Sequence, residues 1–474
     1  MTGAPNDDDG LPPAARRRAM AAILLGIALS VLDGTVVNLA LPGIARDLGI
    51  GAAQALWVVN AYQIAVLALL LPCASLGDRI GWRRVYLGGV ALFTAASLGC
   101  LLARSLPVLA GFRALQGLGA AGIMGVGAAL VRQIWPRRLL GRGMAINSMT
   151  IGTAAVAGPT IAALVLSVAS WPWLFAINLP LGVLLLLAGP RALPPDAVRA
   201  QGGARLSALD VALNAAMFGL VFLGVAVLGG RAGEVAAGAR VATAAALLAG
   251  GVAVGAVYLR RQASQPLPMF PLDLLRIARF RLSMAASISA FAAQMLAFVA
   301  LPFLLLDVHG RSPAEAGLLM TAWPLALVAA APLAGRLIGR VEDGLLGGVG
   351  MVLLVGGLVL LAWLPADATA GDIAWRLALC GVGFGLFQSP NNHTLVSSAP
   401  RHRSGAASGM LGTARLLGQT IGAVTLTLVL NRFGGATTAG GLHAALAVAA
   451  AFAVAAGLAS VLRLRRAAVP TGPA

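Results

Sequence analysis

The feature that most constrains this chain is a succession of apolar blocks, each about as long as a lipid bilayer is thick. A hydrocarbon core about 30 Å thick calls for roughly 20 apolar residues at about 1.5 Å of helical rise each. Such blocks run over residues 19–41, 55–76, 84–103, 106–131, 142–167, 171–190, 208–229, 239–259, 282–306, 313–338, 345–364, 373–396, 405–430 and 440–462. The runs are continuous and lack the period-two alternation of barrel strands, so the spacing predicts helices. Charged residues make up only 11% of the chain, where soluble domains carry about a quarter. No small-residue cleavage site follows the first block, which predicts a retained helix rather than a signal peptide. The expected fold class is an all-α polytopic membrane protein with fourteen spanning helices.

The charges orient it. All 34 basic residues are Arg. With both termini in the cytoplasm, most of them fall in inner loops, and only Arg46, Arg104, Arg231, Arg240, Arg311, Arg376 and Arg432 lie outside. The net charge of +18 is therefore a topology signal spread over loops, not an aromatic-interleaved basic patch, and nucleic acid is excluded as a partner. Cys73, Cys100 and Cys380 lie in or at the ends of apolar blocks, and no disulfide framework follows. The scattered His309, His393, His402 and His443 have no metal-ligand spacing. His393 reads as a polar helix end.

Short turns after the second and tenth blocks look alike. One is Leu76-Gly77-Asp78-Arg79-Ile80-Gly81-Trp82-Arg83-Arg84 and the other Gly335-Arg336-Leu337-Ile338-Gly339-Arg340. The fifth and thirteenth blocks also begin alike, with Arg142-Gly143-Met144-Ala145 and Ser404-Gly405-Ala406-Ala407. The reading is a tail over 1–18, a six-helix half over 19–190, linkers with two inserted helices over 191–281, a second six-helix half over 282–462, and a tail over 463–474. Two halves with a site at their interface make a transporter architecture.

Asp33 is the one acid deep inside an apolar run. At the bilayer centre it costs about 2.5–3.5 kcal/mol on insertion scales, so it should face water or a partner and can carry a proton. The bland alternative is a packing residue bonded to Thr35 or Asn38. Arg113 shares a helix face with Gln116 and Gly117, and Arg415 with Gln419. Arg does not usefully deprotonate, so Arg113 would bias a carboxylate, hold an anion or route protons. Asp78, Arg79, Arg83 and Arg84, on a turn enabled by Gly77 and Gly81, suggest an ion-pair latch between access states. Gly152, Gly158 and Pro159 suggest close packing with a kink. Residues 117–122 formally match a dinucleotide fingerprint but follow no strand, and they read as small-residue helix packing.

Taken together, these residues resemble the fourteen-helix drug–proton antiporters of the major facilitator superfamily. Leu32-Asp33-Gly34-Thr35-Val36-Val37-Asn38-Leu39-Ala40-Leu41-Pro42 is similar to that family's first-helix signature. Gly77 to Arg84 resembles its loop motif, Arg113-Ala114-Leu115-Gln116-Gly117 its fourth-helix motif, and Gly158-Pro159 its antiporter motif. Trp171-Pro172-Trp173-Leu174-Phe175-Ala176-Ile177-Asn178-Leu179-Pro180-Leu181-Gly182 resembles a sixth-helix signature of the same branch. Ala74, Ala154, Ala162 and Ala163 stand where glycines are usual, and Pro172 where an Arg is. The resemblance implies the major facilitator fold and a loop that tunes the inward–outward equilibrium.

The resulting expectation is a proton-coupled antiporter that exports small amphipathic compounds across a bacterial inner membrane by alternating access. Asp33 and Arg113 are the coupling candidates. Asn38, Gln116, Asn178, Asn391, Asn392, Arg415 and Gln419 are the cavity candidates. No cofactor is expected: Gly-x4-Gly-Lys-Ser/Thr is absent, which leaves the proton gradient as the energy source. The partners are substrate, protons and lipid, with a periplasmic adaptor left open and a monomer expected. One buried acid against two mid-helix arginines disfavours dications. The alternatives are a dedicated exporter or importer of one metabolite, or a membrane enzyme or receptor without transport.

Overall fold

A computed structural model describes residues 10–50, 52–55, 57–196, 207–229, 237–265, 268–365, 367–433 and 439–467. Fourteen long helices account for most of them: α1 (Pro13–Asp47), α2 (Trp57–Ile80), α3 (Trp82–Leu102), α4 (Leu106–Ile134), α5 (Leu140–Val168), α6 (Asn178–Ala192), α7 (Ala208–Gly229), α8 (Ala237–Ala263), α9 (Ala278–Phe303), α10 (Ala322–Leu337), α11 (Asp343–Ala362), α12 (Ala370–Ser398), α13 (Ser404–Arg432) and α14 (Ala439–Ala467). Short turns at Trp173–Ala176 and Pro313–Met320 lead into α6 and α10. No strand occurs among the described residues. An apolar medium leaves the backbone no partner but itself, and helices satisfy it within each segment.

Twelve helical spans are long and apolar enough to cross a membrane. They leave out α5, and α7 contributes a shorter apolar stretch, Ala208–Gly224. The described residues thus establish twelve candidate crossings against the fourteen expected. The boundaries follow local chemistry. Pro13 and Pro107 sit in first turns, where a missing N–H costs nothing. Capping boxes at Ser312/Glu315 and Thr369/Asp372 open the Pro313–Met320 turn and α12.

The helices pack as two sets related by a shift of eight positions. In the first, α3 packs on α4, α2 on α4, and α1 on α5 and α6. In the second, α11 packs on α12, α10 on α12, and α9 on α13 and α14. The similar turns also correspond in conformation: Gly81 has φ +112° and Gly339 φ +85°, both in the left-handed region that glycine adopts freely. The sets meet along α2–α13 and α5–α10, contacts exchanged by the same shift. The pair α7–α8 stands beside them, with α7 against both α2 and α13.

Hydrogen bonds joining the two sets gather at the end that carries the Arg-rich turns. Asp78 accepts from the backbone N–H of Gly405 and Ala406 at 2.7 and 2.8 Å. Arg132 donates to the carbonyls of Val396 and Ala399 and to Ser404. Asn392 donates to Ser148. Gly405 is needed there, because a Cβ on it would lie 2.4 Å from Asp78 Oδ1. At this end the two sets are tied together.

Candidate functional site

Asp33 lies midway along α1 and is buried. Three further helices of the first set supply the polar groups around it. Arg113 and Gln116 come from α4, three residues apart and so on one face. Asn178 opens α6, and Ser97 lies on α3. Arg113 Nη1 donates to Asp33 Oδ2 in an ion pair with both side chains out of solvent. Gln116 Nε2 and Asn178 Nδ2 each donate to Asp33 Oδ1 at 2.8 Å. Every one of these contacts is a donor to Asp33, an arrangement that suits a carboxylate rather than a carboxylic acid. Ser97 Oγ accepts from Gln116 at 2.8 Å and from Asn178 at 3.3 Å, fixing both amides.

Arg113 is held in turn. Its Nε donates to the Val58 carbonyl at 2.9 Å, and its Nη1 also reaches Gln116 Oε1 at 2.6 Å. Its guanidinium stacks 4.4 Å from the Tyr62 ring centroid, a cation–π contact in dry surroundings. The Tyr62 hydroxyl donates to the Ser30 carbonyl on α1. Nη2 of Arg113 is buried without a hydrogen-bond partner among the described residues. Close backbone approach makes this possible: a Cβ on Gly117 would lie 2.5 Å from the Tyr62 carbonyl oxygen, and one on Gly158 would lie 2.0 Å from Thr35 Oγ1. Among the described residues Thr35 bonds to the Val31 and Leu32 carbonyls of its own helix and not to Asp33.

The other sequence candidates are placed as follows. Gln116 and Asn178 belong to the Asp33 cluster rather than to an open wall. Asn391 is fully buried and turned into the second set, donating to the Ser283 carbonyl and Ser287 Oγ and accepting from Arg463 at 2.9 Å. Asn392 is at the seam with α5. Arg415 and Gln419 are half-buried on α13. The side chains of Asn38 and Pro159 lie outside the described residues. Gly152 lies at the α5–α10 crossing, where an added Cβ would be 3.0 Å from Leu327. Asp78 accepts from backbone amides at the start of α13 and from Trp82 Nε1 at 2.9 Å, which sets its carboxylate on a helix N-terminus. On the same turn, Arg83 and Arg84 donate their backbone N–H to Asp196, which caps α3 from beyond α6. A Cβ on Gly81 would collide with that carboxylate, and one on Gly77 would lie 2.5 Å from Val126. Arg79 is at the last turn of α2.

Sequence reasoning missed Ser97 and Tyr62, whose signal is only a polar residue inside an apolar run. It also missed Arg463, which reads as one more positive-inside residue but lies buried with Ser283, Asn391 and Ser460. His393 is more than a polar helix end, for its Nδ1 pairs with Asp343 Oδ2 at 2.6 Å. The three cysteines are free and buried, and the described residues contain no cluster of metal ligands.

A buried acid–arginine pair inside one of two repeat-related helical sets, which are tied together at one end, is the construction of a membrane carrier. The sequence profile of the Major Facilitator Superfamily matches residues 23–423, and the chain belongs to that superfamily. It is 50% identical over 456 residues to the uncharacterized transporter YebQ of Escherichia coli (strain K12), covering 96% of this chain and 97% of that one. It is 32% identical to the multidrug resistance protein Stp of Mycobacterium tuberculosis (87% and 75% covered) and 29% identical to the riboflavin transporter RibZ of Clostridioides difficile (84% and 85% covered). Among solved structures, the human organic anion transporter MFSD10 (TETRAN) superposes with a TM-score of 0.68 at 15% identity, over 95% of this chain and 100% of that one, a likeness of fold alone. The protein is a transporter of the major facilitator type.

Proposed function

We propose that the protein is a proton-coupled antiporter that exports small amphipathic compounds across a bacterial inner membrane, with fourteen crossings and both termini in the cytoplasm. The observation that carries the reading is Asp33, a membrane-buried carboxylate paired with Arg113 and shielded from solvent in a form whose two sets are tied together at the Arg-rich end. The positive-inside bias makes that end cytoplasmic. Opening there would break the Asp78 contacts to α13 and admit substrate. Protonation of Asp33 would release Arg113, Gln116 and Asn178, since a neutral carboxyl holds three donors less well. Substrate and proton then compete for one arrangement of the first set, and differential affinity for the two access states converts a proton gradient into export. About 2.3 kcal/mol per charge per 100 mV and about 1.4 kcal/mol per pH unit are enough to drive it.

The name of Stp favours an amphipathic drug as substrate, while that of RibZ keeps a dedicated carrier of one metabolite as the second reading. The test is uptake into inverted vesicles under an imposed pH gradient. A panel of amphipathic drugs and riboflavin should show gradient-driven uptake that a protonophore collapses. Uptake of riboflavin alone would favour the dedicated carrier, and uptake indifferent to the protonophore would remove proton coupling.

A further inference from the structure

We propose that Arg415 is the anchor for an anionic group on the transported molecule, so that this carrier handles amphipathic carboxylates. The inference rests on the transport reading and names the substrate class of the same cavity.

The position of Arg415 follows from the seam between α2 and α13. The face of α13 turned toward the first set is small at each successive turn: Gly405 lies against Asp78 and the Ala74 carbonyl, Gly409 against Ala74 and Leu71, and Gly412 against Leu70. One turn beyond Gly412 stands Arg415, with Gln419 four residues on. The α2 residue close enough to interact electrostatically with Arg415 is Tyr62. The glycine contacts with α2 run as far as Leu70 and Gly412, and Arg415 and Tyr62 lie beyond them on their two helices.

Charge then decides what that space accepts. Among the described residues Arg415 has no hydrogen bond and no carboxylate within ion-pair distance, although it is half-buried at membrane depth. The nearby acid, Asp33, already accepts from Arg113, Gln116 and Asn178 on the far side of Tyr62. Asp33 and Arg113 cancel, and Tyr62, with Arg113 stacked on its ring, is engaged through its hydroxyl with Ser30. Among the described residues the charge on Arg415 remains uncompensated. An intramembrane charge without a partner is costly, and a guanidinium matches a carboxylate through two parallel N–H donors. A ligand carboxylate would complete Arg415, with Gln419 offering an amide beside it and the Tyr62 ring a surface for an aromatic body. The second set uses Arg463, which is buried, quite differently: Ser283, Asn391 and Ser460 hold it, so it has no call for a ligand.

The test is equilibrium binding to the purified full-length protein in detergent, with N-dansylglycine as the anionic probe and its methyl ester as the neutral twin. The wild type should bind the acid about tenfold or more tightly than the ester. Arg415→Gln should lose that preference while binding the ester as before, which also shows that the variant is folded. Arg415→Lys should keep part of it, as a cation without the fork. Equal affinity for acid and ester in the wild type, failure to bind either probe, or a preference that survives Arg415→Gln would overturn the proposal. The readout needs no gradient, so it separates from coupling: an acid preference that persists while uptake ignores a protonophore leaves the anchor standing and removes the antiport.

Discussion

The two helical sets share a packing plan but bury different chemistry in it. Helices α1, α4 and α6 of the first set bring together Asp33, Arg113, Gln116 and Asn178. Their counterparts by the shift of eight, α9, α12 and α14, bring together Ser283, Ser287, Asn391, Ser460 and Arg463. The same three helices thus make a polar knot in each set, near the starts of α4 and α6 in the first and near the ends of α12 and α14 in the second, and each knot holds a buried arginine. Only the first gives its arginine a carboxylate. An arginine tied to amides and hydroxyls has one protonation state, and its knot can only brace. An arginine tied to an acid has a partner whose charge can change. Side-chain choice decides whether a buried polar knot can move a proton.

The largest effect should come from Arg113→Leu, which strands Asp33 in a dry site. Breaking one side of a buried pair costs about 3–5 kcal/mol, so the melting temperature should fall steeply and gradient-driven uptake should vanish. Arg463→Gln should cost about 1.5–3 kcal/mol through lost charge-assisted hydrogen bonds, yet keep proton-dependent uptake in whatever fraction folds. If Arg463→Gln uncouples transport while remaining as stable as the wild type, the contrast between bracing and coupling knots is wrong.

The turns offer a finer comparison. Asp78 reaches across to the other set, whereas Asp343 stays at home with His393 and Thr394. Asp78→Asn removes a carboxylate from a helix N-terminus, worth about 1–2 kcal/mol in a partly buried setting. It should leave insertion intact, slow transport and raise cysteine labelling on the Arg-rich side. Asp343→Asn should leave that labelling pattern unchanged. The smallest effect belongs to Arg84→Ala: its side chain is 75% exposed beside Asp196, and such pairs contribute less than about 1 kcal/mol. Denaturation midpoints should barely move.

Much of this was legible before any coordinates. Helix-length apolar runs give the all-helical fold directly, because bilayer thickness leaves little freedom. The similar turns at Gly81 and Gly339 announced the repeat, since both need a left-handed residue in the same place. Asp33 stood out because a lone acid in an apolar run must find a partner, and Arg113 with Gln116 was the polar face on offer. Helix rotation was hidden. In a helix that is apolar on every side, the pattern does not tell which face looks at lipid, at a neighbour or at the cavity. Asn391 therefore read as a cavity residue and turned inward, and Arg463 passed for a loop charge. The partner of Asp78 was hidden for another reason, because backbone amides at the start of α13 have no sequence signature.

The central claim is that Asp33 carries the exchanged proton. The measurement is substrate-induced proton release in proteoliposomes, comparing wild type with Asp33→Asn, a neutral side chain of the same shape. The wild type should release protons when substrate is added. Asp33→Asn should release none, fail to accumulate substrate against its gradient, and still exchange substrate downhill. Undiminished proton-coupled accumulation by Asp33→Asn would contradict the claim.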